Sequence, residues 1–229
     1  MNYTKQTAVV IASLAVIFLN GIISSIIAVN LWASYTDINQ KIMIFPSILL
    51  AYVMFIGLSM LTLWIELKVS DCIYPVKEGY FKEGSKGYTN WTMRSSLMAS
   101  YEEIFIKIMP RFLRILIYLA MGLKIKKIPK IVFLENMIEC EMIELGKGVV
   151  IGNDATITGH ILDRGVVYIK KIKIGDNSTI GAKSIIMPGV EIGKNSVVAA
   201  GAIVPKNTNI PANEIWGGVP AKRIKKIKK

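Results

Sequence analysis

The chain has 229 residues, 52% of them hydrophobic, and its 28 Lys and Arg outweigh 16 Asp and Glu to give a formal net charge of +12. This length allows one or two domains. The basic residues are dispersed and no nucleic-acid-binding motif accompanies them, so we expect anionic lipid headgroups and nucleotide phosphates as partners, and no nucleic acid. The two cysteines, Cys72 and Cys140, have no metal-ligand spacing, which is typical of a reducing compartment.

Two long apolar segments come first in the chain. Residues 8–32 and 42–65 contain no charged side chain, and each is long enough to cross about 30 Å of hydrocarbon as a helix. A cleavable signal peptide is the competing interpretation of the first segment. The length of that segment, the missing small-residue cleavage site and the second span close behind argue against it. The sequence therefore predicts a transmembrane helical hairpin over residues 1–69.

Charge on either side of the two spans predicts their orientation. The loop between them, residues 33–41, carries only Asp37 and Lys41. Four lysines follow the second span: Lys68, Lys77, Lys82 and Lys86. Because positive residues favour the cytosolic side, we expect an integral protein of the cell membrane with both termini and the large C-terminal part in the cytosol.

Residues 70–128 are predicted to connect the hairpin to the rest of the chain. From 70 to 100 the composition is polar, and we assign this surface segment no chemistry. Between Tyr101 and Lys127, charged residues recur at helical spacing: Glu103, Lys107, Arg111 and Arg114. Apolar residues are expected on the other face: Ile104, Ile108, Phe112, Ile115 and Leu119.

A basic amphipathic helix of this kind is expected to lie in the plane of the membrane surface. Pro110 should kink or divide it. A third span and a plain packing helix are the alternatives. The uncharged run at 115–123 is too short to span, which weakens the first alternative; the second remains open.

A period of six dominates the chain between Leu145 and Trp216. Large apolar residues recur at this spacing: Leu145, Ile151, Ile157, then Ile174, Ile180, Ile186, Ile192, Val198, Val204, Ile210 and Trp216. A helix has a period of 3.6 and a strand a period of two, so neither explains the pattern. A coil with flat sides, each placing one large side chain inside, does explain it. We predict a parallel β-helix over residues 129–220, followed by a basic tail at 221–229.

Four segments of the repeat resemble the hexapeptide-repeat acyltransferases, in particular the galactoside, maltose and xenobiotic acetyltransferases. They begin at Ile174, Pro188, Ala200 and Gly217 and read IGDNSTIG, PGVEIG, AGAIVPK and GGVPA. The resemblance covers about residues 140–227. It implies a left-handed coil, a homotrimer and an acyl-CoA donor.

The period of six is interrupted beside the one histidine, His160. Ile157 and Ile174 are seventeen residues apart, one short of three sides, which indicates a loop leaving the coil. Thr158-Gly-His160 before such a loop resembles the position of the catalytic histidine in galactoside-type acetyltransferases. Transfer from a thioester to a hydroxyl or amine requires removal of the acceptor's proton near neutral pH, and imidazole suits this. The resemblance thus implies that His160 is a general base.

A second polar side chain is expected to fix the tautomer of this base or to bind the acceptor. Five residues are candidates, and the sequence does not choose among them: Asn153, Asp154, Asp163, Glu139 and Glu141. Cys140 as an acyl-carrying nucleophile is the competing mechanism, but it lacks a basic neighbour in sequence. One histidine cannot form the three-histidine zinc site of carbonic anhydrases that share this coil, so we expect no metal.

The resemblance also implies a donor site on the late coils. Small residues would let the pantetheine arm of acyl-CoA lie against the backbone: Ala182, Ala200, Gly201 and Ala202. Basic residues would meet the CoA phosphates: Lys206, Lys222, Arg223 and Lys225. Contact of the basic tail with anionic lipid is the alternative.

Together these features predict a membrane-anchored acyltransferase that moves an acyl group, acetyl in the resembling enzymes, from acyl-CoA directly to a hydroxyl or amino group. A free sugar would not require two spans and a surface helix, so the anchor favours a lipid-linked sugar or glycolipid. An enzyme for a soluble amine or sugar is one alternative. A non-catalytic trimeric scaffold at the membrane is another, and the histidine at the interruption argues against it.

Overall fold

The computed structural model describes residues 3–34, 37–110, 113–127, 131–132 and 136–227. It begins with two long helices, α1 (Tyr3–Ala33) and α2 (Asp37–Ile73). Within them, Gln6–Ala33 and Ile42–Ile73 are long and apolar enough to cross a membrane. The helices pack antiparallel, and Asn20 Nδ2 of α1 donates to Thr62 Oγ1 of α2 at 3.1 Å. The two predicted apolar helices are therefore present.

The predicted surface connector is largely helical. After the strand β1 (Gly79–Lys82), helix α3 runs from Lys86 to Ile108. Ser85 caps it, because its Oγ accepts a hydrogen bond from the backbone N–H of Tyr88 at 3.3 Å. The glycines of this segment, Gly79, Gly84 and Gly87, lie before α3 or in its first turn, so they do not interrupt the helix. Eleven residues of α3 are buried, so α3 is a central packing element.

Pro110 divides the predicted amphipathic helix, as the sequence indicated: α3 ends at Ile108 and α4 (Arg114–Ala120) follows. The predicted apolar face is not the most deeply buried face of this segment. Ile108 and Leu119 are 40% and 37% exposed, whereas Tyr101 and Phe105 are 0% and 2% exposed. Phe112 and Arg111 of the predicted faces lie outside the described residues.

Contact with α2 explains which face is buried. The rings of Phe105 and Phe55 stack with centroids 5.9 Å apart, and Tyr52 Oη donates to the carbonyl of Ile108 at 2.9 Å. The end of α3 thus lies beside the middle of α2. On the outer face, Lys107 and Glu103 form an exposed ion pair at 2.6 Å.

Parallel strands then build three sheets, which the chain visits in the same order in each turn of a coil. The first sheet contains β2 (Lys124–Ile125), β5 (Ile143–Leu145), β10 (Ile172–Ile174), β13 (Glu191–Ile192) and β16 (Asn209–Ile210). The second contains β3 (Ile131–Val132), β6 (Val150–Ile151), β11 (Thr179–Ile180), β14 (Val197–Val198), β17 (Glu214–Gly217) and, antiparallel, β18 (Lys222–Lys226). The third contains β4 (Asn136–Ile138), β7 (Thr156–Thr158), β12 (Ile185–Ile186) and β15 (Ile203–Val204).

The period of six corresponds to the coil's interior. Its apolar residues from Leu145 to Ile210 are at most 3% exposed, and only Trp216 at the end of the series is partly exposed. The coil begins at β2, five residues before the predicted boundary at 129, because β2 pairs with β5. The predicted tail forms β18, which pairs with β17.

The interruption of the period is a β-hairpin. Strands β8 (His160–Asp163) and β9 (Val166–Ile169) pair antiparallel, and β1 adds to β9 as a third strand. The turn residues Arg164 and Gly165 have φ of 46° and 74°, as a two-residue hairpin turn of type I′ requires. The predicted loop therefore leaves the coil at His160 and returns at Ile172.

Removing a side chain from the coil interior should destabilise the protein. Ile180 is 0% exposed between the second-sheet neighbours Ile151 and Val198, so Ile180→Ala should lower the free energy of unfolding by about 2–5 kcal/mol. Ile224, 61% exposed, provides the matched control, and Ile224→Ala should change it by about 0.5 kcal/mol or less. Denaturant unfolding in detergent measures both; equal losses would contradict the assignment of Ile180 to the core.

Candidate active site

Strand register in the third sheet brings Glu139 and His160 together. Ile138 of β4 pairs with Thr158 of β7, and neighbouring strands lie about 4.8 Å apart. Glu139 directly follows β4, and His160 follows β7 after one glycine. A Cβ at Gly159 would lie 3.1 Å from the Glu139 Cβ and 2.9 Å from the Met142 Cβ. Glycine is therefore required at this position if the two turns are to approach so closely.

The two side chains form a short contact. Nδ1 of His160 lies 2.6 Å from Oε1 of Glu139, and the two side chains are 23% and 2% exposed. Thr158 Oγ1 lies 3.4 Å from the same ring nitrogen. Because a carboxylate only accepts hydrogen bonds, the contact places the proton of a neutral ring on Nδ1 and leaves Nε2 as the basic nitrogen.

Helix α3 completes the surroundings of Glu139. Trp91 Nε1 donates to Glu139 Oε1 at 3.0 Å, and Ser95 Oγ donates to the same oxygen at 3.4 Å. The Trp91 ring also lies over the imidazole, with centroids 4.8 Å apart. The sequence assigned this segment no chemistry. Trp91 and Ser95 are four residues apart and so share a helix face, but that spacing is equally typical of plain packing.

Glu141 is turned away from His160. Its Oε1 lies 3.6 Å from Arg94 Nε, and within the described part of the chain neither carboxylate oxygen has a hydrogen-bond partner. Burial raises the pKa of Glu141 to about 7, while the positive charge of Arg94 acts in the opposite direction. Glu141 therefore does not contact the imidazole of His160, because its carboxylate faces α3 and Arg94.

The structure disfavours Cys140 as a nucleophile. Its side chain is buried and its Sγ donates to the carbonyl of Met137 at 3.4 Å. Burial, and then the nearby carboxylates Glu141, Glu102 and Glu139, raise the pKa of the thiol well above its usual value. The reactive thiolate is thus suppressed.

The other three candidate partners lie elsewhere. Asn153 Nδ2 donates to Asp154 Oδ2 at 2.9 Å, and both lie in the turn from the second to the third sheet, at a different corner of the coil. Asp163 lies three strand residues from His160, about 10 Å away, and its exposed carboxylate faces Arg164. Neither location permits contact with the imidazole in the same subunit. Of the five candidates, only Glu139 contacts His160.

The predicted small residues of the donor site divide into two groups. Ala182, Ala200 and Gly201 reach the surface at one corner, where the Gly201 N–H donates to the Ala182 carbonyl of the preceding turn at 2.8 Å. Ala202 is 0% exposed. Its methyl group packs in the coil core and does not reach the surface.

The predicted basic residues occupy two places. Lys206 Nζ lies 5.8 Å and 5.5 Å from the ring centroids of Tyr80 and Tyr168, beside the hairpin that begins at His160. Lys222, Arg223 and Lys225 lie on β18 and are exposed. Arg223 Nε is 3.3 Å from the buried carboxylate of Glu214. Arg223 therefore forms an ion pair within the chain, which partly neutralises its positive charge.

One family model of known proteins matches a segment of the coil. Residues 171–206 match the family model described as hexapeptide repeat of succinyl-transferase. No curated protein sequence matches the chain. Among solved structures, a galactoside acetyltransferase in complex with coenzyme A is 22% identical with a TM-score of 0.48, over 65% of this chain and 86% of that one.

Two further solved structures match less of the chain, with lower TM-scores. A maltose O-acetyltransferase from Clostridium difficile is 25% identical with a TM-score of 0.43, over 61% of this chain and 89% of that one. A perosamine N-acetyltransferase variant from Caulobacter crescentus, in complex with CoA and GDP-perosamine, is 25% identical with a TM-score of 0.30 over 36% of this chain, which spans only 33% of the length of that protein. The matched segment and the strand register together identify residues 171–206 as hexapeptide repeats stacked in a parallel coil.

Proposed function

We propose that the protein is a membrane-anchored acyltransferase that moves an acyl group, most simply acetyl, from acyl-CoA to a hydroxyl or amino group. His160 is the general base and Glu139 orients it. The observation that carries the proposal is the 2.6 Å contact between His160 Nδ1 and a buried carboxylate oxygen. The hexapeptide repeats at 171–206 support the acyl-CoA donor.

The reaction needs one proton transfer at Nε2 in each direction. Nε2 accepts the proton of the acceptor's O–H or N–H group as its oxygen or nitrogen attacks the thioester carbonyl. The C–S bond breaks, and the leaving CoA thiolate takes the proton back from Nε2. During the step the imidazolium is stabilised by the Glu139 carboxylate, which keeps the ring in place through Nδ1.

The donor is proposed to lie along the late coils. Three small residues at the surface would line the path of the donor: Ala182, Ala200 and Gly201. Three exposed lysines on or beside the coil would supply positive charge for the CoA phosphates: Lys206, Lys222 and Lys225. We also propose a homotrimer, since a coil of about ninety residues offers little core of its own. We expect His160 of each subunit then to face the late coils of a neighbouring subunit, where the donor is proposed to lie.

The position of the site favours an acceptor held in the membrane. Arg94 of α3 contacts Leu67 and Asp71 near the end of α2, and Trp91, three residues away on α3, contacts His160. If α1 and α2 cross the membrane, His160 lies close to the cytosolic surface. We therefore propose a lipid-linked sugar or glycolipid as the acceptor; a soluble amine or sugar is the second candidate.

Removal of the base or its partner should abolish most of the transfer. His160→Ala should lower kcat by about 10²–10⁴-fold, and Glu139→Gln, which keeps the shape but loses the charge, should lower it by a smaller factor. CoA thiol release by the purified protein measures both. Cys140→Ala provides the control and should keep wild-type turnover. Activity retained in His160→Ala, or lost in Cys140→Ala with the fold intact, would contradict direct transfer through His160.

The acceptor can be tested with the same thiol assay. In detergent or nanodiscs, acetyl-CoA together with a membrane lipid extract should give acceptor-dependent thiol release that His160→Ala lacks. Free sugars and amines should give little. Equal rates with soluble acceptors and lipid extract would show that the acceptor is not lipid-linked, and absence of release with every acceptor would favour a non-catalytic scaffold.

A further inference from the structure

Arg94 is a buried cation that contacts two separate parts of the molecule, the end of α2 and the first turns of the coil. Arg94 as a whole is 6% exposed to solvent. Nη1 donates to the carbonyl of Leu67 at 2.9 Å and lies 2.9 Å from the carboxylate of Asp71, both near the end of α2. On the other side Nε lies 3.6 Å from the carboxylate of Glu141 in the first turns of the coil. One planar guanidinium thus bridges the membrane helix and the coil.

Glu141 belongs to the turn that presents Glu139. A single 3₁₀ turn spans Cys140–Met142, and the Met142 N–H donates to the Glu139 carbonyl at 2.8 Å. Glu139 itself has φ of 54°, a left-handed conformation that is unfavourable for a residue with a side chain. Such a turn needs outside contacts to hold it, and displacement of Glu141 moves the Glu139 backbone with it.

Helix α3 supports both carboxylates of this turn. Trp91 and Ser95 donate to Glu139, and Arg94, on the neighbouring face of the same helix, holds Glu141. Within the described residues Arg94 is the cation that lies near Glu141, whose carboxylate oxygens are otherwise unpartnered and buried. The contacts therefore link the end of α2, helix α3 and the glutamate that touches the base.

We propose that Arg94 is a positioning residue for the transfer reaction: it fixes the Glu139–Met142 turn to the end of α2 and so keeps the Glu139 carboxylate on His160. The membrane anchor is then part of the catalytic framework as well as a tether. This inference rests on the proposed function. The competing view is that Arg94 only neutralises a buried carboxylate, which would make its role one of stability.

A double variant separates the two views. Arg94→Met should leave Glu141 without its cation, lower the Tm and reduce kcat by roughly 100-fold, the cost of a displacement of about 1 Å near a reacting group. Arg94→Met combined with Glu141→Leu removes both charges, and an apolar pair of similar volume restores stability in many buried ion pairs. We expect the double variant to regain the wild-type Tm while kcat stays low and KM for acetyl-CoA stays unchanged.

A conservative variant and a matched control complete the test. Arg94→Lys keeps the charge but lacks the fork that reaches Leu67, Asp71 and Glu141 together, so it should keep the Tm and still lose about tenfold or more in kcat. It decides the question if the double variant fails to fold. Lys107→Met removes an exposed charge from the same helix and should leave kcat and Tm at wild-type values.

The outcomes also separate this inference from the proposed function. Recovery of kcat together with Tm in the double variant, or wild-type kcat in Arg94→Lys, would overturn the positioning role while His160→Ala remains inactive. Turnover retained in His160→Ala would instead overturn the proposed function itself.

Discussion

The parallel register of the coil determines the rest of the site. Each turn lies about 4.8 Å from the next, so a residue at one corner is held against the residue at the same corner of the following turn. Ile138 pairs with Thr158, and this pairing brings Glu139 beside His160. A shift by one residue would exchange inward and outward side chains along the whole sheet, so the buried isoleucines of the repeat also protect the geometry of the proposed base.

A buried carboxylate is costly unless donors surround it. Oε1 of Glu139 has such donors in His160, Trp91 and Ser95, whereas Oε2 is buried without a hydrogen-bond partner among the described residues. Two of these donors come from α3, a helix that also packs against α1 and α2. The hydrogen bonds to the Glu139 carboxylate thus depend on α3, so the helices and the coil together form the surroundings of the imidazole.

Sequence reasoning succeeded where the pattern is local. The period of six located Ile180 and its equivalents in the core because each side of the coil contributes one inward residue. The interruption of that period located the hairpin and His160. Glu139 could be chosen among the five candidates only once the pairing of the strands was known. The first turn of the coil does not follow the period of six, so the register between β4 and β7 cannot be read from residue spacing.

The helical segment was predicted less well for the same reason. Trp91, Ser95 and Arg94 act through contacts with distant residues, and nothing in their spacing separates these roles from ordinary packing. The predicted apolar face of residues 101–127 assumed lipid or solvent as the neighbour. In the structure α2 covers Tyr101 and Phe105, so tertiary contact determines the buried face.

If Glu139 orients His160, its carboxylate holds the proton of the neutral imidazole on Nδ1. His160 is the one histidine of the chain, so ¹⁵N-histidine labelling gives a single imidazole to observe by NMR in detergent. At a pH where the ring is neutral, we expect ring ¹⁵N shifts of a protonated Nδ1 and an unprotonated Nε2. A ring protonated mainly on Nε2 would contradict it, since that nitrogen could not then accept the acceptor's proton.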